Sequence, residues 1–119
     1  IISLLNNCTS LKFKTIFTLI YSAGLRISEA VNLKLEDIDF NRKMIFIRNG
    51  KNKKDRYTIL AHEAILILTQ YISMYKPQNY IFYSSDVMGK ISTPCIQRQF
   101  KKLIQKVSKR CLMIHFSNK

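Results

Sequence analysis

Two basic side chains, Arg26 in "GLRISE" and Lys51 in "GKNKKDR", each follow closely on a glycine. A guanidinium is planar and permanently protonated, so it can bind two oxygens of one phosphate, whereas a lysine ammonium can give up a proton. Cleavage of a phosphodiester uses both abilities, because negative charge builds on the non-bridging oxygens and the departing oxygen must be protonated. The two residue types therefore suit chemistry at a phosphate.

The overall charge indicates a polyanionic partner. The 119 residues include 20 Lys+Arg and 7 Asp+Glu, which gives a formal net charge of +13. Solubility of a small domain needs a net charge of only about 2 to 8, and a larger surplus opposes compaction unless a polyanion offsets it. Nucleic acid is the leading candidate, and the alternative is that the lysines only keep the domain soluble.

The length of the chain and its cysteines limit the class of protein it can be. One domain over residues 1–119 can bury its own core, and two ordinary domains would not fit. The three cysteines, Cys8, Cys95 and Cys111, are odd in number and show no C-x-x-C spacing, so the sequence predicts neither a disulfide framework nor a zinc site. No apolar run reaches membrane-spanning length, and we expect a cytoplasmic protein that needs no metal and no cofactor.

The elements that must position the arginine are two helices. In "LKFKTIFTLIYSAG" the apolar residues recur at helical spacing, Thr9 or Ser10 can cap the start, and Gly24 suits a left-handed end. Ser28 is then expected to cap a short second helix. Arg26 would therefore lie in the tight link between two helices, on a rigid support.

The lysine belongs to a predicted hairpin. "KMIFIRNG" alternates along its length and "RYTIL" follows a polar break, which predicts two strands joined by a cationic loop. The cations of this hairpin would repel one another in isolation, and DNA phosphates would relieve that repulsion. They are Arg48, Lys51, Lys53, Lys54 and Arg56.

Two further helices follow, with "YIFYS" between them as a short strand. One helix is expected from about His62 to Met74, and the other begins at "STPCIQRQFKKLIQKV", with Thr93 as its cap. Its apolar stripe is predicted to include Phe100 and Ile104. Its other side suits a phosphate backbone, although a solvated lysine face is an equal alternative; that side carries Arg98, Lys101, Lys102 and Lys106.

Together these elements predict a mainly helical α+β domain with one small antiparallel sheet. The run "YSAGLRISEAVNLKLEDIDF", followed by a strand and then "NGKNKKDRYTIL", resembles the catalytic domain of the tyrosine recombinases, the phage-integrase family that includes the Xer-type site-specific recombinases. The resemblance extends from roughly Leu11 to Val107. The two motifs are specific because they occur in order and at a suitable spacing.

The resemblance implies both an activity and residue roles. Arg26 would be the first catalytic arginine, bound to the phosphate that is cleaved, and Lys51 would protonate the departing 5′ oxygen. Glu29 would either hold the Arg26 guanidinium or serve as an acid in the first helical turn. The implied function is breakage and rejoining of double-stranded DNA through a phosphotyrosine intermediate. The protein would belong to a mobile genetic element and act in a prokaryotic cytoplasm, at the nucleoid when bound to DNA. The implied partners are DNA and other recombinase protomers, with no small-molecule substrate.

The chain also departs from the family pattern. The family continues into H-x-x-R and a tyrosine nucleophile, but His115 is followed by "FSN" and all six tyrosines precede the last predicted helix. We therefore expect a C-terminally truncated or frameshifted catalytic domain, inactive alone, in which residues 1–10 end a helix begun upstream and residues 108–119 form an atypical tail. One alternative is a non-catalytic module that binds duplex DNA, and an RNA-binding domain has only the charge in its favour.

Overall fold

The structure, a computed structural model, describes residues 10–48, 54–83 and 91–117, with side chains described as far as residue 106. Helices surround one small sheet, which confirms the predicted mainly helical α+β fold. In chain order the elements are α1 (Leu11–Ala23), α2 (Ile27–Val31), a 3-10 turn (Leu35–Asp37), β1 (Ile38–Asp39), β2 (Met44–Ile47), β3 (Arg56–Ile59), α3 (His62–Tyr75) and α4 (Thr93–Ser117).

Helix α1 begins and ends where the sequence predicts. The Phe13 amide donates to the Ser10 hydroxyl at 3.5 Å, which satisfies one of the free amides of the first turn. At the other end Gly24 has φ 67°, a left-handed conformation in which its amide still reaches the Ile20 carbonyl. Glycine adopts this left-handed conformation more readily than residues that carry a side chain. The chain therefore turns sharply just before Arg26.

The core lies between α1, α3, the inner face of the sheet and the start of α4. Tyr71 of α3 is fully buried, and its hydroxyl donates to the Ile81 carbonyl at 2.7 Å. Burial raises the pKa of this tyrosine, because the charged phenolate would lose its hydration. The other large, fully buried side chains are Ile16, Leu19, Ile45, Leu60, Leu68, Ile81, Phe82 and Ile96.

The sheet confirms the predicted hairpin and adds one short strand. Its strand order is β1-β2-β3, with antiparallel pairs throughout. Ile45 and Ile47 of β2 face the core, whereas Tyr57 and Ile59 of β3 are 62% and 71% exposed. This alternation follows from the two-residue period of a strand. The hairpin residues Lys51 and Lys53 lie outside the described residues.

Three boundaries differ from the sequence prediction. Residues 80–83 of "YIFYS" form isolated bridges instead of the predicted strand, one of them between Tyr80 and Lys34. Helix α2 begins at Ile27 with Arg26, rather than Ser28, as its first flanking residue. Helix α4 begins at Thr93, so the cap is Ser92, whose hydroxyl accepts from the Cys95 amide at 3.4 Å.

Helix α4 extends beyond Val107. The helix continues to Ser117, through most of the segment expected to form an atypical tail. That segment contains neither glycine nor proline, so no residue in it breaks the helix. None of the helices in the described parts of the chain combines the length and the apolar character needed to cross a membrane.

Replacing Gly24 by alanine tests the turn before Arg26. A Cβ atom at this position would meet no atom within 4 Å, so the cost comes from the positive φ alone. We expect Gly24→Ala to lower the free energy of unfolding by about 1 to 2 kcal/mol, measured by urea denaturation. Gly24→Asn should cost less, because asparagine tolerates the left-handed region. An alanine variant as stable as the parent would contradict this account.

Candidate functional site

Arg26 stands on a backbone that is fixed at both its amide and its carbonyl. The amide donates to Glu29 Oε1 at 2.8 Å, and the carbonyl accepts from the Ala30 amide at 3.0 Å. Leu25, the residue before it, is 5% exposed and anchored in the core, while the Arg26 side chain is exposed. The structure confirms that Arg26 lies between two helices, and the guanidinium can meet a ligand from solvent.

Glu29 joins this segment to the hairpin. Its Oε1 atom accepts from the Arg56 guanidinium at 2.7 Å as well as from the Arg26 amide. The Glu29 side chain is 5% exposed and that of Arg56 is 35% exposed. Of the two roles expected for Glu29, its place in the first turn of α2 is confirmed. The carboxylate contacts Arg26 through the backbone amide and forms its ion pair with Arg56.

A second ion pair holds the other end of the hairpin. Arg48, directly after β2, donates from Nη2 to Glu36 at 2.7 Å and from Nε to Asp37 at 3.1 Å. Asp37 is 3% exposed and also accepts from the Lys34 amide at 3.1 Å. The hydrogen bond to Glu36, supported by the charge of Asp37, raises the pKa of Arg48. Arg48 therefore remains a cation bound to two carboxylates.

A polar groove of about 300 Å³ opens between these two ion pairs. The Lys34 ammonium lies 5.6 Å from the centre of the Tyr80 ring, at one wall of the groove. The groove connects the helix that follows Arg26 with the end of β2. Its lining consists of Ser28, Glu29, Asn32, Lys34, Arg48 and Tyr80.

The other predicted DNA-binding cations that the structure describes lie in two places, before β3 and on α4. Lys54, just before β3, is exposed. On α4, Ile96 and Leu103 are buried, which turns the basic side of the helix outward. Phe100 and Ile104, which the sequence assigned to the core stripe, are 38% and 42% exposed, because they lie at the border of the buried face. Among the α4 side chains that the structure describes, the exposed cations are Arg98, Lys101, Lys102 and Lys106.

Sequence reasoning missed the carboxylate partners of the hairpin arginines. The segment "LEDIDF" carries no site in the sequence prediction, yet Glu36 and Asp37 bind Arg48 from it. An available signal was the clustering of acids, because four of the seven lie between residues 29 and 39. No spacing rule links residues 36 and 48, because a turn and two strands separate them.

Comparisons with known proteins agree with this fold. The profile of the phage integrase family matches residues 1–117, and the chain belongs to that family. It is 39% identical over 82 residues to a tyrosine recombinase of Thermosipho africanus, covering 69% of this chain and 29% of the relative. It is 33% identical over 101 residues to tyrosine recombinase XerA of Pyrococcus horikoshii, covering 82% and 35%. The chain thus spans about a third of these relatives.

Solved structures show the same fold. A crystal structure of XerA recombinase superposes with a TM-score of 0.78 and 27% identity, over 88% of this chain and 39% of that one. A crystal structure of XerH site-specific recombinase, bound to its difH substrate in a pre-cleavage complex, superposes with a TM-score of 0.71 and 18% identity, over 87% and 33%. The second likeness bears on the fold alone.

The pair between Glu29 and Arg56 should contribute measurably to stability. Arg56→Met would leave the buried Glu29 carboxylate with the Arg26 amide as its one remaining partner in the described part of the chain. We expect the free energy of unfolding to fall by about 2 to 3 kcal/mol, measured by urea denaturation.

Arg42→Met is the matched control, because Arg42 is 79% exposed and its pair with Asp39 spans 3.8 Å. An exposed pair of this kind contributes little, so the control should change stability by less than about 0.5 kcal/mol. Equal effects of the two substitutions would show that burial of Glu29 does not strengthen its pair.

Proposed function

We propose that this chain forms the phosphate-holding part of a DNA strand-cleavage site in a site-specific recombinase. The observation that carries the proposal is the placement of Arg26. Its guanidinium is exposed, and its backbone is held by hydrogen bonds to Glu29 and Ala30. A preorganised cation stabilises a transition state at no cost of reorganisation. The resemblance to XerA and the "GLRISE" motif support the choice of a recombinase over other phosphate chemistries.

The proposed chemistry is a transesterification at phosphorus. A tyrosine oxygen of the recombinase attacks, a phosphotyrosine bond forms, and the bond to the 5′ oxygen breaks. Arg26 binds the non-bridging oxygens as their charge increases. Lys51 gives the departing oxygen its proton. The role of Lys51 rests on its "GKNKKDR" motif and on its place between the two ends of the hairpin.

Duplex DNA is the proposed partner. The exposed cations Lys54, Arg98, Lys101 and Lys102 can contact phosphates on either side of the cleaved position. The net charge of +13 favours a polyanion. In a recombinase the chain would work beside other protomers at the prokaryotic nucleoid.

The binding half of this proposal predicts a strong dependence on salt. Removing one cation that neutralises a phosphate should reduce the slope of log K against log salt by about 0.9. Lys101→Gln combined with Lys102→Gln should therefore reduce the slope by about 1.8, measured by fluorescence anisotropy of labelled duplex at several salt concentrations. Lys76→Gln, an exposed lysine outside the proposed surface, is the control and should leave the slope unchanged. Wild-type affinity that does not vary with salt would contradict DNA binding through these cations.

The catalytic half predicts that this chain alone forms no covalent adduct with DNA. All six tyrosines precede α4. The hydroxyls of Tyr71 and Tyr83 donate hydrogen bonds to the carbonyls of Ile81 and Tyr75, respectively. Incubation with a nicked suicide substrate should give no protein–DNA band on a denaturing gel. An adduct on any of the six tyrosines would overturn this.

Adding a recombinase segment that carries H-x-x-R and the tyrosine should restore cleavage. Arg26→Ala should then reduce the rate by about 100-fold or more, because it removes one preorganised donor to the transition state. Arg98→Ala is the matched control, and it should alter DNA affinity without a comparable loss of rate at saturating DNA. Equal rates for the two variants would show that Arg26 does not act at the phosphate.

A non-catalytic module that binds duplex DNA is the second candidate. The outward-facing cations of α4 favour it, because they need no cleavage chemistry to bind a backbone. The restored-cleavage assay separates the two functions. A module of this kind would bind DNA normally and give no cleavage with any added segment.

A further inference from the structure

We propose that Arg48 and Arg56 are positioning residues, which fix the hairpin to the segment that carries Arg26 and do not themselves bind DNA phosphates. This inference rests on the proposed function, since it concerns how the same phosphate site is held together. The sequence placed both arginines among the DNA-binding cations of the hairpin. Their partners in the structure point to a different role.

The two arginines occupy equivalent places at the two ends of the hairpin. Arg48 follows the last residue of β2, and Arg56 is the first residue of β3. Both bind carboxylates of one continuous segment, residues 26–37, which begins with Arg26 itself. The ends of the hairpin are therefore each tied to the backbone that carries the proposed phosphate ligand.

Burial of the carboxylates opposes transfer of either arginine to a phosphate. Glu29 is 5% exposed, and its Oε2 atom is buried without a hydrogen-bond partner in the described part of the chain. If Arg56 left, the buried charge would keep only the Arg26 amide among the partners that the described residues provide. Asp37, at 3% exposed, would likewise keep only the Lys34 amide of its described hydrogen-bond partners without Arg48. A buried charge without its counterion is strongly unfavourable.

A positioning role predicts that neutralising the carboxylate partner of either arginine weakens DNA binding, which is the opposite of what charge alone predicts. Neutralising an acid near a DNA-binding surface adds one positive charge and normally strengthens binding. If Arg56 or Arg48 were a phosphate ligand, removing the charge of its carboxylate would release it to DNA and tighten the complex. If the pair positions the hairpin, the same substitution loosens the hairpin and weakens the complex.

The experiment measures the affinity of labelled duplex DNA for Glu29→Gln and Asp37→Asn at one fixed salt concentration. We expect both variants to bind about threefold more weakly than wild type, or weaker still. Glu63→Gln is the matched control, because Glu63 is exposed on α3 and touches neither arginine. It should bind as tightly as wild type, or more tightly. Tighter or unchanged binding by Glu29→Gln overturns the assignment of Arg56, and the same result for Asp37→Asn overturns that of Arg48.

Two milder variants keep the test decisive if a buried substitution prevents folding. Arg56→Lys keeps a charge for a phosphate but replaces the planar fork that meets Glu29 with a point charge. It should weaken binding about threefold or more, whereas the matched Arg98→Lys should stay within about twofold of wild type. Glu36→Gln, at an exposed carboxylate, serves in the same way for Arg48 and should also weaken binding. Unchanged binding by these variants overturns the proposal.

Hydrogen exchange separates failure of this inference from failure of the proposed function. The backbone amides of β2 and β3 should exchange faster in Glu29→Gln and Asp37→Asn than in Glu63→Gln, with no DNA present. Wild-type protein that does not bind DNA would refute the proposed function, and the exchange rates would still decide whether the pairs hold the hairpin. Equal exchange in all three variants overturns the positioning role.

Discussion

The Glu29 carboxylate is the contact on which the arrangement of the site depends. One oxygen of this buried group accepts from the Arg26 amide and from the Arg56 guanidinium, so it holds the start of α2 and the start of β3 at one point. A buried carboxylate needs such partners, because the loss of hydration is otherwise uncompensated. The same requirement that stabilises the fold therefore fixes the Arg26 backbone relative to the start of β3.

Two further features complete the arrangement of the site. Gly24 turns the chain so that Leu25 enters the core and Arg26 leaves it. Asp37 and Glu36 repeat the arrangement at the far end of the hairpin by binding Arg48. A chain with few acids thus places three of them within one segment, where each holds an arginine. Other cations of the described residues, such as Lys54, Lys101 and Lys102, are exposed and can meet a polyanion.

Much of this architecture could be predicted from the sequence. The period of the apolar residues predicted α1, α3 and α4, and the cap at Ser10 and the stop at Gly24 predicted the ends of α1, because these are local effects. The same local signals predicted the position of Arg26 between two helices. They did not predict the pairing of Arg56 with Glu29, since it joins residues far apart in the chain and no period relates them. Helix α2 begins earlier than predicted for a local reason, because the Glu29 carboxylate accepts from the Arg26 amide three residues before it and the helix therefore starts at Ile27.

A structure of the chain bound to duplex DNA would test the central claim most directly. The account predicts a backbone phosphate within about 3 Å of the Arg26 guanidinium, with Arg56 still bound to Glu29 and Arg48 still bound to Asp37. Lys54 and the basic side of α4 would contact neighbouring phosphates. DNA seated on another surface, with the Arg26 side chain left in solvent, would contradict the proposed site.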